Sequence, residues 1–188
     1  MSVFEFRPQG IYCPQGDFYI DPWRPVERAL ITHGHSDHAR YGSKKYLCTE
    51  LAAPVIRHRL GEVKIETIPY EKEININGVK ISFHPAGHVP GSAQILAEIK
   101  GERWVVSGDY KVVYDGLSTP FEPIKCHSFI SECTFGLPAF NWLPQKEIFK
   151  EINNWWLQCN REGITPVLAA YGLGKAQRLL SGIDNSIG

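Results

Sequence analysis

The stretch "ALITHGHSDHARYG", residues 29–42, sets an apolar run directly before His33-Gly34-His35-Ser36-Asp37-His38. Three of the chain's seven histidines stand there. An apolar run that ends in polar residues reads as a strand leaving a core for a loop. Alternate residues of an extended chain share a face, so His33, His35 and Asp37 can point one way while His38 points the other. A turn over 34–36 that leads into a helix would swing His38 into the same pocket. A single histidine is usually a polar side chain satisfied by ordinary hydrogen bonds. Four ligand-type side chains packed this tightly point instead to a metal held by nitrogen and oxygen donors.

Working outward, "DFYID" (17–21) and "KKYLCT" (44–49) are further short strands, and "ELAAPVIRHRL" (50–60) has helical spacing despite Pro54. The segment "EININGVKISFHPAGH" (73–88) alternates around Asn77-Gly78, a strong hairpin signal, and "SAQILAEIKGERWVVSGDY" (92–110) repeats the device around Lys100-Gly101. "CHSFISE" (126–132) is one more strand. The texture then changes to a helix over 144–163, a strand "TPVLAAY" over 165–171 and a helix over 175–183, which suggests a domain junction near 140–144.

With 188 residues, 43% of them hydrophobic and 21% charged, the chain can bury a core. Twenty basic and twenty acidic side chains cancel, so any nucleic-acid partner must be argued from a local site and not from net charge. The first ten residues lack the apolar stretch of a signal peptide, and no run approaches the ~20 apolar residues of a membrane span. Five cysteines stand singly with no Cys-x-x-Cys pair, which argues against disulfides and zinc knuckles and for a cytoplasmic, reduced setting.

The histidine stretch resembles the signature His-x-His-x-Asp-His of the metallo-β-lactamase superfamily, here "HGHSDH" at 33–38. Asp21 in "FYIDP" matches that family's acid at the end of an early strand, His88 in "AGHVPGSAQ" its single downstream histidine, and Asp109 in "VSGDY" its bridging aspartate. Glu132 in "SECTFG", followed by "PVLAAYGLGKAQRLL" (166–180), is similar to the β-CASP nuclease branch. The run from 10 to 42 is most similar to bacterial ligase-associated DNA exonucleases.

The resemblance implies an α/β (α+β) metallo-β-lactamase fold, an αββα sandwich of two mixed β-sheets flanked by helices and incomplete at the C-terminus. It places a metal-binding domain over 1–140 and the beginning of a β-CASP-like domain over 141–188. His33, His35 and His88 would hold one zinc; Asp37, His38 and a bridging Asp109 the second, with Mn²⁺ an admissible substitute. Asp21 would orient a metal ligand. Asp37, Asp109 and Glu132 would be the catalytic acids, Glu132 by supporting a later histidine that protonates the leaving oxygen. No histidine follows His127. The expectation is therefore a truncated chain, short of a ligand at its second site, weak or inactive, and prone to associate.

The implied activity is hydrolysis of nucleic-acid phosphodiester bonds, as a DNA exonuclease tied to DNA repair or a DNA ligase, with DNA favoured over RNA. The two ions outweigh the ligating aspartates and leave a positive point that attracts a phosphodiester. An RNA-processing nuclease of the same fold and a catalytically incomplete metal-binding fragment are the alternatives. A thioester or lactam hydrolase would have no use for "ECTFG" or "GLGKAQ". His84 reads as a packed residue, His58 as part of a solvated helix face, and His127 has no partner in the sequence. A lone Gly-x-Gly in "AYGLGK" is a weak phosphate signal beside a plain turn.

Overall fold

A computed structural model describes residues 2–188. The chain divides after Glu132 into two compact units. The first contains eleven strands and a helix: β1 (Glu5–Arg7), β2 (Gly10–Cys13), β3 (Phe18–Ile20), β4 (Arg28–Leu30), β5 (Lys45–Thr49), α1 (Ala53–Leu60), β6 (Ile65–Ile68), β7 (Ile74–Ile76), β8 (Val79–Pro85), β9 (Ala93–Ile99), β10 (Glu102–Val106) and β11 (Ser128–Ile130). They form two mixed sheets, β1-β2-β3-β4-β5-β6 and β11-β10-β9-β8-β7. In the first sheet β1 to β3 run antiparallel and β3 to β6 parallel. In the second, β10 and β11 are the parallel pair.

Alternation sorts the side chains. Phe18, Ile20, Leu30 and Leu47 from the first sheet and Ile81, Phe83, Ile95 and Ala97 from the second share one buried cluster, so the sheets close face to face as a sandwich. A second cluster lies on the other face of the first sheet, where Ala53, Ile56 and Leu60 of α1 cover Ala29, Ile31, Tyr46 and Cys48. Pro54 falls in the first turn of α1, where its missing N–H goes unneeded, so the helix starts at Ala53 and not at residue 50. Both expected hairpins form. Asn77 and Gly78 have φ of 50° and 85°, and Lys100 and Gly101 have φ of 50° and 85°, the left-handed pair that matches the twist of a two-residue turn. The strands β1, β2 and β6 are too short to announce themselves by alternation.

In the second unit, α2 (Gln145–Glu162) ends at Gly163, whose φ of 67° gives the left-handed stop, and α3 (Lys175–Gly182) follows. Residues 133–144 have no regular structure and group with this unit. The expected strand over 165–171 is absent: that segment joins no sheet among the described residues, and Val167 is 80% exposed. Strand propensity needs a neighbouring backbone before it becomes a strand. The amide of Gly174 is taken by Gln177 Oε1 at 2.7 Å and that of Ala176 by the Tyr171 carbonyl, so two amides at the start of α3 are already bonded locally. No helix is long and apolar enough to cross a membrane among the described residues.

Candidate metal centre

Five loops converge at one end of the sandwich. Asp21 follows β3, His33 follows β4, His88 follows β8, Asp109 follows β10 and Glu132 follows β11, and these strands leave the core in the same direction within each sheet. The Ala93 N–H donates to the Thr32 carbonyl and ties the two sheets together there. After His33 the chain makes a single turn, with the Ala39 N–H reaching the His35 carbonyl at 2.8 Å, and no helix follows. Only a few residues separate that turn from β5, too few for a helix. The turn alone brings His38 round.

Two groups of ligand-type atoms result: His33, His35, His88 and Asp109, and His38, Asp109 and Glu132, each with its atoms within 4.8 Å of one another. His35 Nδ1 lies 2.9 Å from His33 Nε2 and 3.2 Å from His88 Nε2. Asp109 Oδ2 is 3.4 Å from His88 Nε2 and 3.8 Å from His33 Nε2. Ring nitrogens this close repel unless a proton or a cation sits among them. Ligand atoms ~2.0–2.2 Å from a tetrahedral zinc stand about 3.4 Å apart, so the donor set and its spacing fit a divalent ion. In the second group His38 Nε2 is 3.5 Å from Glu132 Oε1. Asp37 belongs to neither group; its side chain is 68% exposed, with Oδ2 3.7 Å from His38 Nε2.

Thr32 and Asp21 set the ring orientations. Asp21 accepts from the Thr32 N–H (2.8 Å), from the Thr32 hydroxyl and from His38 Nδ1 (2.8 Å). Because the Thr32 hydroxyl proton goes to Asp21, its oxygen accepts from His33 Nδ1 at 3.1 Å. Both histidines therefore carry a proton on Nδ1 and turn Nε2 toward the centre, the outer hydrogen bond that a metal-binding histidine uses to fix its orientation. Gly108, with φ of 52°, keeps room for Thr32: a Cβ there would stand 2.5 Å from Thr32 Oγ1. Ser92 Oγ accepts the amides of His88 and Val89, which shapes the loop that presents His88. Nothing in the sequence singles out Thr32 or Ser92, since their roles depend on contacts across the fold.

Burial pushes His33 far below the usual histidine range, helped by the neighbouring rings. Burial also takes His88 down to about 4, with His35 and Lys111 adding to it against the pull of Asp109. For His38 burial works the same way, but the hydrogen bond and charge of Asp21, with Glu132 and Asp109 behind it, raise it to about 9. Burial raises the Glu132 carboxyl, and the adjacent Asp109 raises it further against His38. An ion in the three-histidine group thus meets His33 and His88 as neutral rings near neutral pH, whereas one at His38 Nε2 must displace a proton at any pH below about 9. Titration calorimetry in two buffers of different protonation enthalpy is expected to show fewer protons released with the first ion than with the second, which must displace at least the one on His38. Affinity for the second ion should rise between about pH 6 and about pH 9. Equal proton counts for both ions would contradict the charge assigned to His38.

The remaining histidines lie elsewhere. His84 bridges Ser82 Oγ (2.9 Å) and Glu122 Oε2 (3.2 Å), His127 Nδ1 accepts the Arg103 amide, and His58 is exposed on α1.

No family model matches the chain. It is 32% identical over 181 residues to a probable DNA ligase of Opitutus terrae, covering 94% of this chain and 18% of that protein. It is 32% identical over 126 residues to cleavage and polyadenylation specificity factor subunit 3 of Dictyostelium discoideum, covering 64% of this chain and 16% of the relative. An RNase J-like protein of Methanocaldococcus jannaschii is 24% identical over 192 residues, covering 87% and 45%. The chain spans less than half the length of each of these relatives. The gathering of His33, His35, His38, His88 and Asp109 at one end of the sandwich and relatives that share most of this chain agree: it belongs to the metallo-β-lactamase superfamily, in its β-CASP branch.

Proposed function

We propose that the chain carries the hydrolytic centre of a nuclease that cleaves phosphodiester bonds of nucleic acid, with DNA as the preferred polymer, exonucleolytic action, and ligation or repair as the setting. The observation that carries this reading is the position of Asp109, whose carboxylate belongs to both ligand groups. One side chain reaching two groups of donors is the arrangement of a two-ion centre. Zinc in both positions, with manganese as a substitute, is part of the proposal; ions held there supply Lewis acidity and bring the pKa of bound water toward ~7.

The chain's own residues do the rest. His33, His35 and His88 present ring nitrogens to the first position, and His38, aimed by Asp21, serves the second. Asp109 sets the spacing between them. Asp37 offers a further carboxylate on the open side of His38, and Glu132, beside both Asp109 and His38, is placed to hold or pass a proton. The preference for DNA draws support from the relative named a probable DNA ligase, which matches over most of this chain. Cytoplasmic residence belongs to the same proposal, supported by the buried thiols of Cys13, Cys48 and Cys159.

The RNase J-like relative favours RNA as the second reading. Zinc-loaded protein on matched DNA and RNA oligonucleotides decides: faster cleavage of DNA is expected, and faster cleavage of RNA would shift the assignment. Retention of metal without cleavage of either, both here and in a version extended to the length of the relatives, would leave a non-catalytic metal-binding module.

A further inference from the structure

We infer that the two loops beside the metal centre, residues 21–25 and 37–44, form a stacking and phosphate-binding rim that receives single-stranded nucleic acid on its way to the ions. The inference rests on the nuclease reading above and names the form of substrate and the side chains that guide it.

Each loop starts from a residue of the centre. Trp23 lies two residues beyond Asp21, and Tyr41 three beyond His38, so ~11 Å of chain at most separates either aromatic from a side chain of the centre. Both rings face solvent, Trp23 at 53% and Tyr41 at 74% exposure. Single exposed aromatics are ordinary on a protein surface. This pair differs in being held beside cations and next to the reacting centre.

The loops are fastened to each other and to the sheet. The Val26 amide donates to Ser43 Oγ at 3.2 Å, the Lys44 amide to the Val26 carbonyl at 3.0 Å, and the Trp23 amide to the Gln9 carbonyl at 2.8 Å. Arg40 spans them, its Nε on the Asp37 carbonyl at 3.0 Å and its Nη1 on the Trp23 carbonyl at 3.5 Å. Gly42, with φ of 105°, closes the contact: a Cβ there would meet Pro25 Cγ at 2.8 Å. A rim held in this way loses little freedom when a strand settles on it.

Charge points the same way. The chain as a whole is neutral, yet Arg24 and Arg40 stand exposed on these two loops and form no ion pair among the described residues. The rim continues into a cleft of about 440 Å³ over Pro25, Val26 and Gly42, whose wall carries Arg28 together with Asp17 and with Lys44 paired to Glu27 at 2.6 Å, so the unpaired cations of the rim are Arg24 and Arg40. Guanidinium groups alternating with open aromatic faces match a chain of phosphates and unpaired bases. In a duplex the base faces are hidden, so the aromatics favour a single strand.

Fluorescence anisotropy with a labelled twelve-thymidine DNA strand tests this, using the 188-residue chain in EDTA so that binding is read without cleavage. Trp23→Ala and Tyr41→Ala are each expected to weaken binding about 5- to 100-fold. The double substitution Arg24→Ala and Arg40→Ala should flatten the salt dependence by about two phosphate contacts. A hairpin duplex should bind more weakly and respond little to the aromatic substitutions. Thermal unfolding and zinc content of each variant, expected at the parent's values, exclude damage to the fold. Unchanged affinity in all variants, or no binding by the parent, overturns the rim. Hydrolysis of bis(p-nitrophenyl) phosphate by the zinc-loaded parent reports on the nuclease reading separately, because that small diester is too short to need the rim.

Discussion

Asp109→Asn is expected to reduce phosphodiester hydrolysis by at least about 10³-fold and to leave no more than one ion per chain, a loss beyond the ~10–100-fold that follows removal of an outer hydrogen-bond partner. The reason is its double membership. Its carboxylate lies 3.4 Å from His88 Nε2 on one side and shares the second group with His38 and Glu132 on the other. An amide keeps the shape but loses the charge, and one of its two polar atoms becomes a donor that repels a cation. Metal analysis and hydrolysis rates check both halves. Cys48→Ala is the matched control: Cys48 lies in the core under α1, where burial pushes its thiol up to about 12, and it has no part in either ligand group. Equal losses in the two variants would show that the activity is not centred on metal.

Asp21→Asn should have the next largest effect, through both stability and the second ion. Asp21 and His38 form a buried pair, with side chains 12% and 4% exposed, and Asp21 also serves both the N–H and the hydroxyl of Thr32. Removing one charge of a buried pair costs on the order of 3–5 kcal/mol. The pH dependence has a definite sign. The folded pKa of His38, about 9, lies above the ordinary 6.5, so its contribution is complete below about pH 6.5 and fades as pH rises through about 9. The stability gap between parent and variant should therefore narrow over that window, as read by urea unfolding of metal-free protein. A constant gap would mean that the hydrogen bonds to Thr32, and not the ion pair, carry the effect. With metal present, affinity at the second position should fall about 10–100-fold, because His38 loses the group that aims it.

Local chemistry was legible along the chain wherever it depends on neighbours in sequence. Both hairpins are written in turns that need left-handed backbone, and α1 and α2 in apolar spacing with Pro54 inside one start and Gly163 after the other end. The histidine cluster announces a metal by density alone. The extended segment 165–171 shows the limit, since apolar β-formers become a strand only when another backbone offers hydrogen bonds. The short strands β1, β2 and β6 show the converse, formed by pairing that three or four residues cannot signal.

Chain order alone gives the kinds of donor available and the succession in which they arrive: nitrogen and oxygen atoms at 33, 35, 37, 38, 88, 109 and 132, with Asp21 ahead of them. How they sort is settled by folding. It puts Glu132 with His38 and Asp109, leaves Asp37 outside both groups, and gives Thr32 the task of aligning His33 through a hydroxyl whose proton Asp21 has already claimed. Coordination is a matter of distances of a few ångströms between atoms that are dozens of residues apart. Those distances are set by where two sheets close on each other and release five loops at one end, and no spacing along the chain encodes them.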